Sequence, residues 1–170
     1  MAVTYKLIET VTVGVGGAAS IDFSSIPQTY TDLLILLSAR TTYGAVADDL
    51  YMYFNGVTTN RSDRFVYGNG SSVASTSIGP HVGTMVSDTA TASVFGNTAI
   101  YICNYASTTI AKAISGDSVS ENNATTAYTD LTASLWNSTA AITSIQIPTA
   151  GGRGVWKQYS SASLYGIKNS

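Results

Sequence analysis

Charged side chains are scarce in this chain of 170 residues: Asp, Glu, Lys and Arg make up 11%, against roughly 25% in an average soluble domain. Helix bundles build their surfaces from Lys, Glu and Arg, and enzyme clefts need several titratable groups, so the shortage speaks against both. Histidine and cysteine occur once each, as His81 and Cys103. A lone cysteine excludes an intrachain disulfide, and within an apolar segment it reads as a small core residue. A lone histidine after Pro80 leaves a nucleophilic triad no choice of base, so His81 reads as structural or merely exposed. One His and one Cys lying 22 positions apart do not complete a tetrahedral zinc site. No metal and no cofactor is expected, and the chain does not read as an enzyme.

Long hydrophobic runs are missing too. The longest aliphatic stretch, Leu33-Leu34-Ile35-Leu36-Leu37, has five residues, where a membrane helix needs about 20. A formal net charge of −2 provides no field for nucleic acid or an anionic membrane, so neither is an expected partner. Met1 to Lys6 lacks the cationic start and apolar core of a secretory signal and reads as the native start, with Met1 to Thr4 as an arm or a frayed end.

What remains is 45% hydrophobic, and short β-branched and aromatic runs are punctuated by Gly, Ser, Asn and Asp. Helical periodicity is nowhere sustained. The spacing predicts strands over Tyr5 to Val13, Ser20 to Phe23, Thr31 to Arg40, Asp49 to Asn55, Arg64 to Tyr67, His81 to Val86 and Thr98 to Tyr105. Ala111 to Val119, Thr129 to Trp136, Ala141 to Ile147 and Ser160 to Lys168 follow. About ten strands over residues 1–170 predict an all-β, antiparallel single domain, as two packed sheets or a closed barrel. Leu50, Met52 and Phe54 alternate with Tyr51, Tyr53 and Asn55, which makes the first set core. Thr31 to Leu37 and Thr98 to Tyr105 are apolar on both faces, so a loop or a neighbouring subunit is expected over the second face. Asn55-Gly56 is a two-residue hairpin signal. Gly68 to Gly79 reads as a surface excursion or a subunit-contacting arm.

Gly14-Val15-Gly16-Gly17-Ala18-Ala19 matches a loose dinucleotide fingerprint, but Ser20-Ile21-Asp22-Phe23 alternates as a strand where that motif needs a helix, so a flexible hairpin turn is expected. Asp48-Asp49 and Asp117 with Glu121 are the paired carboxylates. Adjacent residues point to opposite faces of a strand, so Asp48 and Asp49 read as turn-capping and solvated. Cation binding at Asp48, Asp49 or Asp117 lacks the regular D-x-D-x-D-G spacing. The sequons at Asn60, Asn69, Asn123 and Asn137 follow from the abundance of Ser, Thr and Asn. Tyr43, Tyr51, Tyr53, Trp136, Trp156 and Tyr159 are the candidates for a subunit interface first, then for the core or a glycan-stacking surface, because these rings carry a large apolar body with a polar tip. Arg153, in Gly151-Gly152-Arg153-Gly154, reads as a flexible cation that salt-bridges a neighbour.

Tyr5-Lys6-Leu7-Ile8-Glu9-Thr10-Val11-Thr12-Val13 followed by Ser20-Ile21-Asp22-Phe23 and on to Asp32-Leu33, together with Asp117-Ser118-Val119-Ser120-Glu121-Asn122-Asn123, Leu135-Trp136 and the terminal Ala162-Ser163-Leu164-Tyr165-Gly166-Ile167-Lys168-Asn169, resembles a group of small tailed-bacteriophage virion proteins over nearly the whole chain. The resemblance is one of pattern, without a catalytic motif. It implies a jelly-roll-like β-sandwich and a capsid decoration, or cement, protein on the virion head, assembled in the host bacterial cytoplasm. Its expected partners are the major capsid protein and itself, as a homotrimer by analogy. The alternative is a tail fibre or tailspike domain binding host-surface glycan through Tyr43, Trp136 and Trp156, although no heptad or collagen-like repeat is visible.

Overall fold

Alternation with a period of two runs through most of the chain, and the folded protein turns it into strands with one buried and one outward face. The computed structural model describes residues 5–123 and 126–168; the expected arm at Met1 to Thr4 lies outside the described residues. The fold is all-β and antiparallel. Its strands are β1 (Tyr5–Thr12), β2 (Ser20–Phe23), β3 (Asp32–Ala39), β4 (Ala47–Tyr51), β5 (Tyr53–Phe54), β6 (Arg61–Gly68) and β7 (Val73–Thr76). They continue with β8 (His81–Val86), β9 (Gly96–Ile102), β10 (Lys112–Val119), β11 (Thr129–Trp136), β12 (Ile145–Pro148) and β13 (Ser161–Ile167), and one 3-10 turn spans Ala150–Gly152.

Eight strands form one sheet in the order β1-β13-β3-β9-β10-β11-β6-β7. The opposing layer joins β2-β12-β5 to the β4-β8 ribbon. β4 and β5 are one bent strand broken at Met52, since Leu50 bridges Thr149 on the line along which Tyr53 and Phe54 pair with Gln146 and Ile145. β8 packs across β9, β10 and β11, so the layers make a β-sandwich. Their buried side chains fall into one hydrophobic cluster that includes Ile21, Phe23, Leu33, Ile35, Leu50, Met52, Phe54, Ile100 and Leu164.

Several expectations change here. The Gly14 to Gly17 turn is not a hairpin: β1 pairs with β13 while β2 pairs with β12, so this turn carries the chain between layers, with Gly16 and Gly17 at φ 95° and 79°. The Gly68 to Gly79 segment is no free arm, because β7 within it pairs with β6. Asn55-Gly56 does turn with both φ positive, and Val57 N–H donates to Phe54 O at 2.8 Å. Cys103 is half-exposed rather than core, at the end of β9 where the chain leaves the sheet. Asp117 sits in mid-strand on an outward position, away from any turn.

Tertiary cations replace water at two loop ends. Arg40, almost fully buried, donates to the carbonyls of Thr91, Val94, Asp88 and Ala90 at 2.6 to 3.1 Å. Lys112 donates from Nζ to Ser107 O, Ile110 O and Thr139 O at 2.6 to 3.2 Å, and burial lowers its pKa. Buried carbonyls in irregular backbone need such donors, and these two pin the 88–94 and 107–110 loops.

Candidate functional site

β11 is folded with its polarity reversed. Asp130, Thr132 and Ser134 point inward and are buried, while Leu131 and Leu135 point out, Leu131 being 60% exposed. The inward set is held by a polar network. Ser118 Oγ and Thr84 Oγ1 donate to the two oxygens of Asp130 at 2.7 and 2.6 Å, and Ser134 Oγ donates to His81 O at 2.6 Å. His81, fully buried, stacks on Phe65 with ring centroids 3.9 Å apart, and its Nε2 lies 3.5 Å from Asp130 Oδ2. This agrees with a structural histidine. Small and polar residues line this part of the interior because β8 comes very close: an added Cβ on Gly116 would sit 2.2 Å from Val82 O.

The apolar residues displaced outward line up across the large sheet. One row runs Leu36, Ala99, Asp117, Leu131, Val66, and the next Leu34, Tyr101, Ser115, Ala133, Arg64. Leu36 is 43% and Tyr101 38% exposed, so the expected cover over the second faces of β3 and β9 is not supplied by the chain's described residues. Over β3, β9, β10 and β11 the outward positions carry one exposed charge, Asp117, and Asp32 at the start of β3 is buried. A shallow depression of about 230 Å³ lies among Leu34, Ala99, Tyr101, Asp117 and Leu131. The Tyr101 hydroxyl donates to buried Asp32 at 2.5 Å, which pushes its pKa up to about 12 and fixes the ring at the rim. A solvated sheet face is normally polar, and a contiguous apolar one marks a contact surface.

A second feature is a cleft of about 300 Å³ between β4, the preceding loop and Arg153 on one side and β6, β7 and Tyr128 on the other. Phe65, Tyr67 and Tyr128 form its aromatic wall, with centroids 5.9 and 6.0 Å apart. Opposite them, Arg153 Nη2 lies 2.8 Å from Asp48 Oδ1 and 3.5 Å from Asp49 Oδ2, and the guanidinium covers the Tyr43 ring at 4.4 Å. Thus Arg153 pairs within its own chain, and it unites two carboxylates whose side chains leave the strand on opposite faces. Asp48 is buried rather than solvated, and its Oδ2 has no hydrogen-bond partner. Desolvation, opposed by the attraction of Arg153, raises its pKa to about 6.

Of the other expected contact residues, Trp136 and Trp156 are core. Trp136 packs on Phe54 with centroids 5.3 Å apart, and Trp156 donates from Nε1 to Ile147 O at 2.9 Å. Neither indole is available to a partner or a glycan; a Trp on an inward strand position contributes more by filling the core than by covering the surface. Tyr51 and Tyr53 are half-buried, with Tyr53 beneath the Arg61 guanidinium at 5.8 Å. Tyr159 is 70% exposed and adopts φ 74°, an unusual conformation for a bulky residue, beside a separate crevice bounded by Arg40, Asp88 and Lys157. Only Tyr43 and Arg153 meet in one site. Tyr67, Tyr128, Leu131 and Tyr101 were not among the sequence candidates; the one available signal was the polar alternation of Asp130, Thr132 and Ser134 opposite two leucines. Among the described residues no group of three or more His, Cys, Asp or Glu side chains is placed to hold a metal.

Compared with protein-family models, curated proteins and solved structures, the chain matches none. The two surfaces therefore carry the functional reading by their own chemistry.

Proposed function

We propose that this protein is a non-catalytic decoration, or cement, protein of a tailed-bacteriophage head, binding the major capsid protein through the outward face of its eight-stranded sheet. The observation that carries this reading is the reversed polarity of β11. Burying Asp130, Thr132 and Ser134 while exposing Leu131 and Leu135 costs the isolated fold hydrophobic burial, and contact with a partner restores it. The scarcity of charge fits the same role, since a surface used for packing avoids desolvating ions.

In this reading the fold is a jelly roll. With β4 and β5 counted as one strand and the β6–β7 and β10–β11 hairpins as insertions, eight strands remain. One layer then runs first-eighth-third-sixth and the other second-seventh-fourth-fifth, which supports that winding. The insertions widen the layer that bears the apolar face. Binding only the assembled shell stabilises it by mass action, and a homotrimer on local threefold positions multiplies each weak contact.

The test is localisation and copy number on purified particles by cryo-electron microscopy, with heat stability of heads that carry or lack the protein. Hundreds of copies on the head and fragile bare heads are expected. A few copies at the tail tip overturn the reading in favour of an adhesion domain, for which the tyrosine cleft would be the contact site.

A further inference from the structure

We propose that the cleft between Tyr43, Tyr67, Tyr128 and the Asp48–Arg153 pair is a binding site for a neutral saccharide of one or two sugar units. The inference is independent of the decoration reading, because the cleft is built from different side chains than the outward sheet face.

The size comes first. A cleft of about 300 Å³ lies at the lower end of the range for small-molecule sites, enough for a mono- or disaccharide. The two walls differ in chemistry. Phe65, Tyr67 and Tyr128 present contiguous ring surface, against which the C–H face of a pyranose packs. Facing it are the partly exposed Asp49 carboxylate and Arg153 guanidinium, which offer an acceptor and donors to sugar hydroxyls.

Asp48 supports the polar wall from within. Its side chain is fully buried, its Oδ1 accepts from Arg153 Nη2 and from the Asp49 N–H at 3.0 Å, and the Thr41 hydroxyl lies beside the carboxylate. Held there, Asp48 fixes the guanidinium from beneath and leaves the half-exposed Asp49 and Arg153 to meet sugar hydroxyls. Arg153 is already oriented by both carboxylates and by the Tyr43 ring, so the polar wall is set before binding. The charges also choose among sugars. Two carboxylates against one guanidinium leave the wall net negative, which disfavours uronic and sialic acids and favours neutral hexoses and N-acetylhexosamines.

The experiment is saturation-transfer NMR and calorimetry of the full chain with methyl glycosides of glucose, galactose, mannose, N-acetylglucosamine and N-acetylgalactosamine, with N-acetylneuraminic acid as the acidic comparison. Saturable binding of at least one neutral glycoside is expected, weakened tenfold or more by Tyr67→Ala and by Arg153→Met. Tyr67→Phe keeps the ring face and retains binding, and Tyr159→Ala, outside the cleft, leaves it unchanged. Tyr128→Ala is the second aromatic test should Tyr67→Ala fail to fold. Binding by none of the neutral glycosides overturns the proposal, as does preference for the acidic sugar or affinity that Tyr67→Ala and Tyr128→Ala leave intact.

Discussion

Arg153 and Asp48, 105 positions apart in the chain, meet at 2.8 Å, and the pair leaves one carboxylate oxygen buried without a donor. The linkage has a definite sign. Asp48 titrates at about 6 in the folded protein against 3.8 when unperturbed, so between these values the native state holds a proton that the unfolded chain has lost. Stability therefore falls as pH rises from about 4 to about 6 and is level above, by an amount on the order of 3 kcal/mol. Arg153 and Asp49, the charged neighbours of this carboxyl, act on it in opposite directions. In Asp48→Asn this fall disappears, because the amide keeps an oxygen for Arg153 and has nothing to ionise. Urea unfolding of both proteins across pH 4 to 7.5 checks it; parallel pH profiles would contradict the assignment.

Gly116 should not tolerate a side chain. Its position on β10 lies under the Val82 carbonyl of β8, and the obstacle at 2.2 Å is backbone, not a flexible tip. Gly116→Ala must push the layers apart, at a cost of about 1–3 kcal/mol or more. Gly44 has nothing within 4 Å of its would-be Cβ, so Gly44→Ala stays within about 0.5 kcal/mol of the parent. Thermal melts of the two variants decide between layer contact and a general cost of replacing glycine.

Arg40 should act as the pin of the 88–94 loop. Four backbone carbonyls converge on its guanidinium, and Arg40→Met leaves them without donors while keeping the aliphatic volume. A loss of about 3–5 kcal/mol is expected, as for removal of one partner from a buried charged cluster. Limited proteolysis should move to this loop, and hydrogen exchange of its amides should accelerate before that of β3. Uniform acceleration over both would show that the arginine supports the whole core instead.

The strands were legible because alternation is a local property. β2, β8 and β11 begin and end where Ser20, Phe23, His81, Val86, Thr129 and Trp136 had marked them. β7 was missed because Val73-Ala74-Ser75-Thr76, mostly exposed at a sheet edge, carries one large apolar residue inside a Gly and Ser run. Which face of a strand is buried was harder. The pattern Asp130-Leu131-Thr132-Ala133-Ser134-Leu135 points its leucines inward by every hydropathy rule, and the tight approach of β8 with the Asp130 network reverses it. Trp136 and Trp156 were misplaced for a related reason, since an amphipathic ring suits a core and a surface equally. The cleft draws Asp48, Tyr67, Tyr128 and Arg153 from four separate segments, and only tertiary structure brings them together.

Leu131 separates folding from attachment. It projects from β11 with 60% exposure, between Asp117 and Val66 in the outward row. Leu131→Asp should therefore change the unfolding free energy of the isolated protein by no more than about 0.5–1 kcal/mol. Placed in a packed interface, the same carboxylate is an unpaired buried charge, and attachment to purified heads should drop by at least a hundredfold, about 2.7 kcal/mol or more. Thr132→Val offers the reverse case, since it alters a buried position beneath the same strand and leaves the outward face untouched. It should shift stability and spare attachment. Cosedimentation of each variant with heads stripped of the protein, beside urea titrations of the free chains, measures both quantities. If Leu131→Asp binds like the parent, the apolar face is not the attachment surface.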